Sequence, residues 1–503
     1  MTIKWQAILL IISLLSGIVR ANNSRIPDFP ESHKKLSEKT SFIKMEEELK
    51  TYSNKDYIHL NTIGQSSKKH SIYAVNINLK MREDQWSLMF IGQQHGDEPA
   101  GKEALLYLIK YLSENKDLVP VDINLWIIPM VNPDGAVADQ RRNGQGADLN
   151  RDHILLSQPE TRAVHKLFRK VEPHIFVDCH EFGRDSQSYL EKGWREWPLI
   201  MMDCSNNPFF NKELYKAGVE WCNYLKPWMN EQDHNYTRYF VGGTPPDEEQ
   251  RYSTPEIDDA RNGLGSYQGL SFIIESGIRH NTLDNPDKDL GQRVDAYLDI
   301  FRKFIYDRNF RERNSEIIKR ARNAKLPKFT PTNYFWGNNG VRITDFKVID
   351  LETDQVKEIK TPNFMNDMIV KKSVKTPDGY IIPANAAQNF QQLLDRQAIN
   401  HNILQAGKIF TVEPCTLSAF EDSFDPIYCR YSGRQIVKKG PIQKHNFSPG
   451  SIIINLQDDL NSRRAVLLLE PLKLYGLFQY HTFKNMVDDK GELPIYRLIE
   501  QQE

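Results

Sequence analysis

Ser87-Leu88-Met89-Phe90-Ile91-Gly92-Gln93-Gln94-His95-Gly96-Asp97-Glu98 is the stretch that decides how this chain is read. An apolar run leads straight into an imidazole and a carboxylate three residues apart. At a tight turn such a pair presents both side chains to one cation, and mixed nitrogen and oxygen donors suit Zn²⁺. Two protein ligands do not hold a catalytic zinc, so His95 and Glu98 require a third ligand elsewhere.

Other apolar runs also end in donors. His174-Ile175-Phe176-Val177-Asp178-Cys179-His180-Glu181 reads as a buried strand delivering His180, and Ser271-Phe272-Ile273-Ile274-Glu275 as another delivering Glu275. Leu125-Trp126-Ile127-Ile128-Pro129-Met130-Val131 runs into the turn Asn132-Pro133-Asp134-Gly135. In open α/β sheets, ligand sites gather at the carboxyl ends of the strands. Taken singly, His180 is an ordinary core histidine and Glu275 an ordinary capping carboxylate. The same pattern at four strand ends reads as one site.

Asp139 to Asp152 adds the sequence Arg141-Arg142-Asn143, then Gly146-Ala147-Asp148-Leu149-Asn150-Arg151. The order HGDE, NPDG, RxN, GxDLNR, a strand-terminal His and a strand-terminal Glu resembles the zinc metallocarboxypeptidase family over roughly residues 52–278. The resemblance implies an α/β fold, a mixed sheet flanked by helices. It also implies one zinc per chain, bound by His95, Glu98 and His180 with a position left for water. Glu275 would be the general base, and Arg141 would stabilise the oxyanion of the tetrahedral intermediate. Asn150 and Arg151 would grip the terminal carboxylate of a peptide or peptide-like substrate, and Asp148 would orient His95 from behind. The family carries a tyrosine ahead of its catalytic glutamate. Tyr252 and Tyr267 both precede Glu275; spacing favours Tyr252, and Arg261 is an alternative polar contact. Asp258 and Asp259 read either as a preference for basic side chains or as a solvated acidic loop.

At 503 residues the chain is long for one core, and the length prior favours about two or three domains. Lys4 ahead of the apolar run Ala7 to Val19, with Val19-Arg20-Ala21 behind it, reads as a signal peptide over 1–21 cleaved after Ala21. That run is shorter than the ~20 residues of a membrane span, so a secreted or periplasmic protein with no stable membrane span is expected. Residues 22–41 read as a loose polar leader, 42–325 as the catalytic domain and 326–503 as a smaller β-rich domain. Helices are expected over Phe42 to Tyr52, Ala100 to Ser113 and Pro159 to Val171. An amphipathic run from Asp289 to Arg322 follows, and strands are expected at Val341 to Leu351 and Arg464 to Leu469, among others. Cys204 with Cys222, and Cys415 with Cys429, are sequence-near pairs able to close short loops. Alternation turns Cys179 away from His180.

Lys+Arg 65 against Asp+Glu 66 gives a formal net charge of −1, which argues against a nucleic-acid partner. The expected function is an exported zinc carboxypeptidase. The alternatives are an N-acyl amino acid deacylase of the desuccinylase or aspartoacylase kind, which shares the HxxE site, and an inactive zinc-binding module.

Overall fold

The apolar runs form the middle of one sheet. The computed structural model describes residues 26–80, 82, 84–278, 289–338, 344–420, 424–425, 430–431, 435–456 and 460–499. Its main sheet has eight strands: β1 (Ile58–Gln65), β2 (Ser71–Ile77), β3 (Trp86–Gly92), β4 (Ile123–Ile128), β5 (Ile175–Gly183), β6 (Ile200–Cys204), β7 (Tyr236–Arg238) and β8 (Leu270–Ile278). Their order is β1-β2-β4-β3-β5-β8-β6-β7. The centre, β4-β3-β5-β8, is parallel, while β2 and β6 join it antiparallel. The sheet is therefore mixed.

The helices include α1 (Phe42–Tyr52), α2 (Ala100–Glu114), α3 (Pro133–Ala138), α4 (Pro159–Val171), α5 (Lys212–Glu231), α6 (Leu290–Tyr306), α7 (Arg308–Asn323), α8 (Ala387–Gln397) and α9 (Leu460–Leu469). Alternation along the central strands feeds two cores, as a period of two requires. Leu88, Phe90, Val177, Cys179, Phe272 and Ile274 pack with α2, α5 and α6, whereas Met89, Ile91 and Phe176 pack with α4. Cys179 thus faces away from His180, as alternation predicts. In α4, Pro159 opens the first turn, where its missing N–H is harmless. Its apolar residues Ala163, Val164, Leu167 and Phe168 then fall on the sheet side. In α2, a Cβ on Gly101 would stand 2.5 Å from that of Cys179, so only glycine lets this helix lie so close on β5.

The α1 and α4 boundaries match the sequence expectation, and other parts depart from it. The amphipathic run of 289–322 breaks at Asp307, whose carboxylate accepts the Phe310 N–H at 2.9 Å and caps a second helix. The leader is not loose over its described part, 26–41. Phe29 and His33 are buried, with Phe29 4.3 Å from the Tyr111 ring and His33 Nε2 2.6 Å from Asp295 Oδ1. Arg464 to Leu469 lies in α9 and not in a strand. All of Ala465 to Leu469 is buried, and a continuous apolar run carries no period by which to choose. Cys204 and Cys222 are buried free thiols within hydrogen-bonding reach of each other. Cys429 and the expected signal peptide lie outside the described residues. No described helix is long and apolar enough to cross a membrane.

The region after 326 does contain several sheets, including a six-stranded one. Its first half, however, is stitched onto what precedes it. The strand Phe364–Met365 pairs in parallel with Gln250–Tyr252, and Thr344–Asp350 pairs with Trp194–Glu196.

One buried histidine makes the fold acid-sensitive in a measurable way. His174 Nδ1 accepts the Ser87 N–H at 3.0 Å beside the Trp86 ring, and burial, helped by Arg322, pushes its pKa down to about 4. A folded-state pKa below the unfolded ~6.5 gives stability that is complete above ~6.5 and is lost as pH falls towards 4. His174→Gln, which keeps an acceptor, should therefore show a shallower fall of the urea midpoint over that window than the parent. Identical slopes would rule His174 out as a contributor.

Candidate active site

His95 and Glu98 sit on the turn after β3, and His180 near the end of β5. Their donor atoms converge: His95 Nδ1 is 2.7 Å from Glu98 Oε1, and His180 Nδ1 is 3.0 Å from Glu98 Oε2. The two Nδ1 atoms are 3.1 Å apart. All three side chains are buried and form a group able to hold a metal ion. Two imidazoles and a carboxylate fit Zn²⁺ and leave room for a further ligand.

The far ring nitrogens are held from behind. His95 Nε2 lies 3.2 Å from Asp148 Oδ1, and His180 Nε2 lies 2.8 Å from Asp178 Oδ2. This is how metal-binding histidines are usually oriented. Burial lowers the pKa of both histidines, but the carboxylates outweigh it: Glu98 and then Asp148 raise His95, and Asp178 and then Glu98 raise His180. Burial raises Glu98, yet the two histidines hold it well below the usual carboxylate range. Asp178 was not singled out in the sequence, although its place two residues before His180 on the same strand face was a usable signal.

The Asn-Pro-Asp-Gly turn frames the metal pair and adds no donor to it. Asn132 caps α3 by accepting the Gly135 N–H at 2.9 Å, and its amide donates to Gln94 O at 3.0 Å. Asp134 takes hydrogen bonds from Ser66, Ser67 and the Lys68 N–H. A Cβ on Gly96 would meet the Gly135 carbonyl carbon at 2.0 Å and Ala136 N at 2.3 Å. The metal turn and α3 are therefore packed backbone on backbone.

Glu275 is in β8, not at its end, since the strand continues to Ile278. It pairs in register with His180 across the β5-β8 ladder, which puts the two side chains on one face. Burial pushes its pKa up to about 7, and Glu98 adds to this against His180, His95 and a hydrogen bond from Tyr239. Tyr239, just beyond β7, is thus the tyrosine that reaches Glu275. The expectation for Tyr252 is corrected here: its ring packs against Arg238, Trp336 and Phe364, with Arg238 3.7 Å away. Tyr267 lies under Arg464, also away from the metal cluster. Spacing alone could not separate these tyrosines, because their placement depends on the loop between β7 and β8.

The remaining predicted residues surround the cluster. Arg141 Nη1 is 3.1 Å from His95 Nδ1 and 3.4 Å from Glu98 Oε1, and its Nε donates to Asp148 at 3.1 Å. Asn150 Oδ1 accepts the Ala260 N–H at 2.8 Å, and its Nδ2 lies 3.1 Å from His180 Nε2, whose hydrogen serves Asp178. Arg151 is 27% exposed, with Nε 3.8 Å from Asp258 Oδ2. Arg261 is fully buried on Asp203, Asp259 and Thr254 O and acts as a strut. Asp259 is spent on that strut and on capping the helix Ala260–Gly265. Glu181 points to the opposite side, where it binds Arg293, Ser276 Oγ and the Ala100 N–H.

Over parts of its length the chain is similar to known carboxypeptidases. The family profile Peptidase_M14, zinc carboxypeptidase, matches residues 45–191. Carboxypeptidase 2 of Trichophyton rubrum is 42% identical over 96 residues, 18% of either chain. Carboxypeptidase SOL1 of Arabidopsis thaliana is 30% identical over 210 residues, 35% of this chain and 43% of its own. The chain spans about a fifth of the length of the fungal relatives it matches. Among solved structures, a metallo-carboxypeptidase from Burkholderia cenocepacia aligns with a TM-score of 0.42 at 17% identity, covering 54% of this chain and 70% of its own.

Two substitutions test the metal cluster. Asp178→Asn keeps the shape and removes the charge behind His180, and should weaken zinc binding by ~10–100-fold in a chelator competition. Gly96→Ala forces two backbones apart, so it should lower both zinc retention and stability, the latter by about 1–3 kcal/mol as overpacking does. Unchanged zinc affinity in both would mean the cluster is not the metal site.

Proposed function

We propose, for a chain whose residues 45–191 match the zinc carboxypeptidase family profile, that it hydrolyses the C-terminal peptide or peptide-like amide bond of substrates with a free terminal carboxylate. One observation carries this reading. His95, Glu98 and His180 converge on one point, and Glu275 stands one strand over from His180 on the same face. Zinc held by those three side chains would polarise the scissile carbonyl and acidify a water.

The protein's own groups do the rest. Glu275 accepts the proton of the attacking water and passes it to the leaving amine; a carboxyl raised towards neutrality is suited to both transfers. Tyr239 hydrogen-bonds that carboxylate and fixes its direction. Arg141, reaching from Asp148 to the edge of the cluster, offers N–H groups to the carbonyl oxygen as negative charge develops there. Asn150 Oδ1 is taken by the Ala260 N–H, which leaves its amide N–H groups to join Arg151 in binding the terminal carboxylate. Residues 42–325 would form the catalytic domain and 326–503 its β-rich companion, with 1–21 directing export.

Glu275→Gln should retain zinc and lose ~10²–10⁴-fold in kcat, the usual loss for a general acid–base group. Near-parental turnover in a zinc-loaded Glu275→Gln protein would remove it from the mechanism.

Amidating a peptide's C-terminus tests Arg151. A hydrogen bond to a charged group contributes about 1.5–3 kcal/mol, and partial exposure with Asp258 alongside argues against more. The amide should therefore fall roughly one to two orders of magnitude in kcat/KM, at 1.36 kcal/mol per tenfold. Arg151→Ala should reduce hydrolysis of the free acid by a similar factor and that of the amide hardly at all. Equal cleavage of acid and amide by the parent would sink the carboxypeptidase reading.

A further inference from the structure

The segment that follows Arg151 is held from outside the catalytic sheet. Gln397, the last residue of α8, is completely buried. Its amide donates both hydrogens to carbonyls on the far side of the interface, His153 O at 2.9 Å and Ile154 O at 2.6 Å. Its Oε1 accepts from Arg464 Nη2, and its own carbonyl accepts from Arg464 Nη1 at 2.8 Å. Arg464, on α9, is anchored in turn by Ser266 Oγ at 3.0 Å and by the Tyr267 ring, 3.7 Å away. Every polar atom of the Gln397 side chain is therefore used, and two of its bonds land two and three residues after Arg151.

The backbone gripped in this way is also tied to the metal cluster. His153 N–H donates to Asp258 O at 3.3 Å, so the Arg151 loop and the Asp258 loop are joined there. The His153 Nε2 lies 3.0 Å from Gln94 Oε1, and Gln94 Nε2 donates to Asp178 Oδ2 at 2.8 Å, the carboxylate behind His180. One hydrogen-bonded chain thus runs from α9 through α8 to the loop carrying Asn150 and Arg151, and on to the metal ligands. Gln397 and Arg464 are themselves buried, so any effect they have on the reaction passes through the loop.

We propose that Gln397 and Arg464 are positioning residues that hold the 150–154 loop in the register at which Arg151 meets the substrate carboxylate. This rests on the carboxypeptidase reading above. A planar amide locked by a guanidinium fixes where the His153 and Ile154 carbonyls lie. Loss of the lock lets Arg151 shift, and misplacement of a binding group by about an ångström is enough to change rates by ~10²-fold.

The test uses the full-length zinc enzyme and one peptide in two forms, free acid and C-terminal amide. Three variants are compared: Gln397→Leu removes the donors, Gln397→Glu keeps the shape and the Arg464 contact, and Arg464→Lys loosens the lock. Zinc content is measured alongside kcat and KM. We expect KM for the free acid to rise ~10–100-fold, with kcat, zinc content and amide hydrolysis little changed. In an Arg151→Ala background, Gln397→Leu should add nothing further, as expected for residues acting through one contact. A purely structural role would depress acid and amide alike. Variants that discriminate acid from amide as well as the parent does, or that are all insoluble, would overturn the proposal and leave the functional reading intact. A parent indifferent to amidation would instead remove the functional reading, and this inference with it.

Discussion

Two buried carboxylates, Asp148 and Asp178, set the direction of everything at this site. Each holds the far nitrogen of one histidine, so that both Nδ1 atoms face inward at Glu98. Without them the imidazoles would be free to rotate or to bond elsewhere, and a three-residue turn could not hold a metal by itself. Asp148 also ties down Arg141, and Asp178 is reached by Gln94, so the same two groups connect the metal turn to its surroundings. A charge placed behind a ligand both orients it and makes it a better donor. That is why a carboxylate on the blind side of a histidine has functional weight although it meets no substrate.

Much of this could be read in the chain. Apolar runs ending in His95, His180 and Glu275 were visible as buried strands because a parallel sheet covered on both faces needs continuous hydrophobic sequence. The starts of α1 and α4 rest on local chemistry: the Ser41 side chain accepts the Lys44 N–H, and Pro159 lacks an N–H where none is needed. What escaped depended on tertiary packing. Spacing favours Tyr252 over Tyr267 and does not single out Tyr239, because only the path of the chain between β7 and β8 brings Tyr239 to Glu275. The burial of Phe29 and His33 could not be seen in a polar segment with two prolines, because the partners lie on α2 and α6, far along the chain. Arg464 to Leu469 was ambiguous for a different reason: full burial erases the periodicity that separates a helix from a strand.

The region beyond 326 is more intimately joined to the site than a length-based division suggests. Besides Gln397 and Arg464, Trp336 Nε1 donates to Ser253 O at 2.8 Å, and Tyr334 shares a 3.1 Å contact with Asn207. Lys473, fully buried, takes its electrostatic surroundings from Glu256, Glu470 and Asp258. The loop from 250 to 259 thus has one side on the catalytic sheet and the other on residues that arrive much later in the chain. Long-range contacts of this kind close large loops, at an entropic cost that grows only slowly with loop length.

Glu275 and Tyr239 share one hydrogen bond yet belong to parts of the protein with very different tenure. The backbone of Glu275 is laddered on both sides, by His180 in β5 and by Met201 in β6, so exposing it means dismantling the sheet's interior. Tyr239 follows the last strand of the sheet, where one side of the ladder is open. Opening free energies run from near zero at frayed edges to the whole stability of the domain at its centre. Glu275 therefore stays in place on any timescale short of unfolding, whereas Tyr239 lies where opening costs less. The carboxylate is thus held by the sheet's interior and its tyrosine neighbour by the sheet's margin.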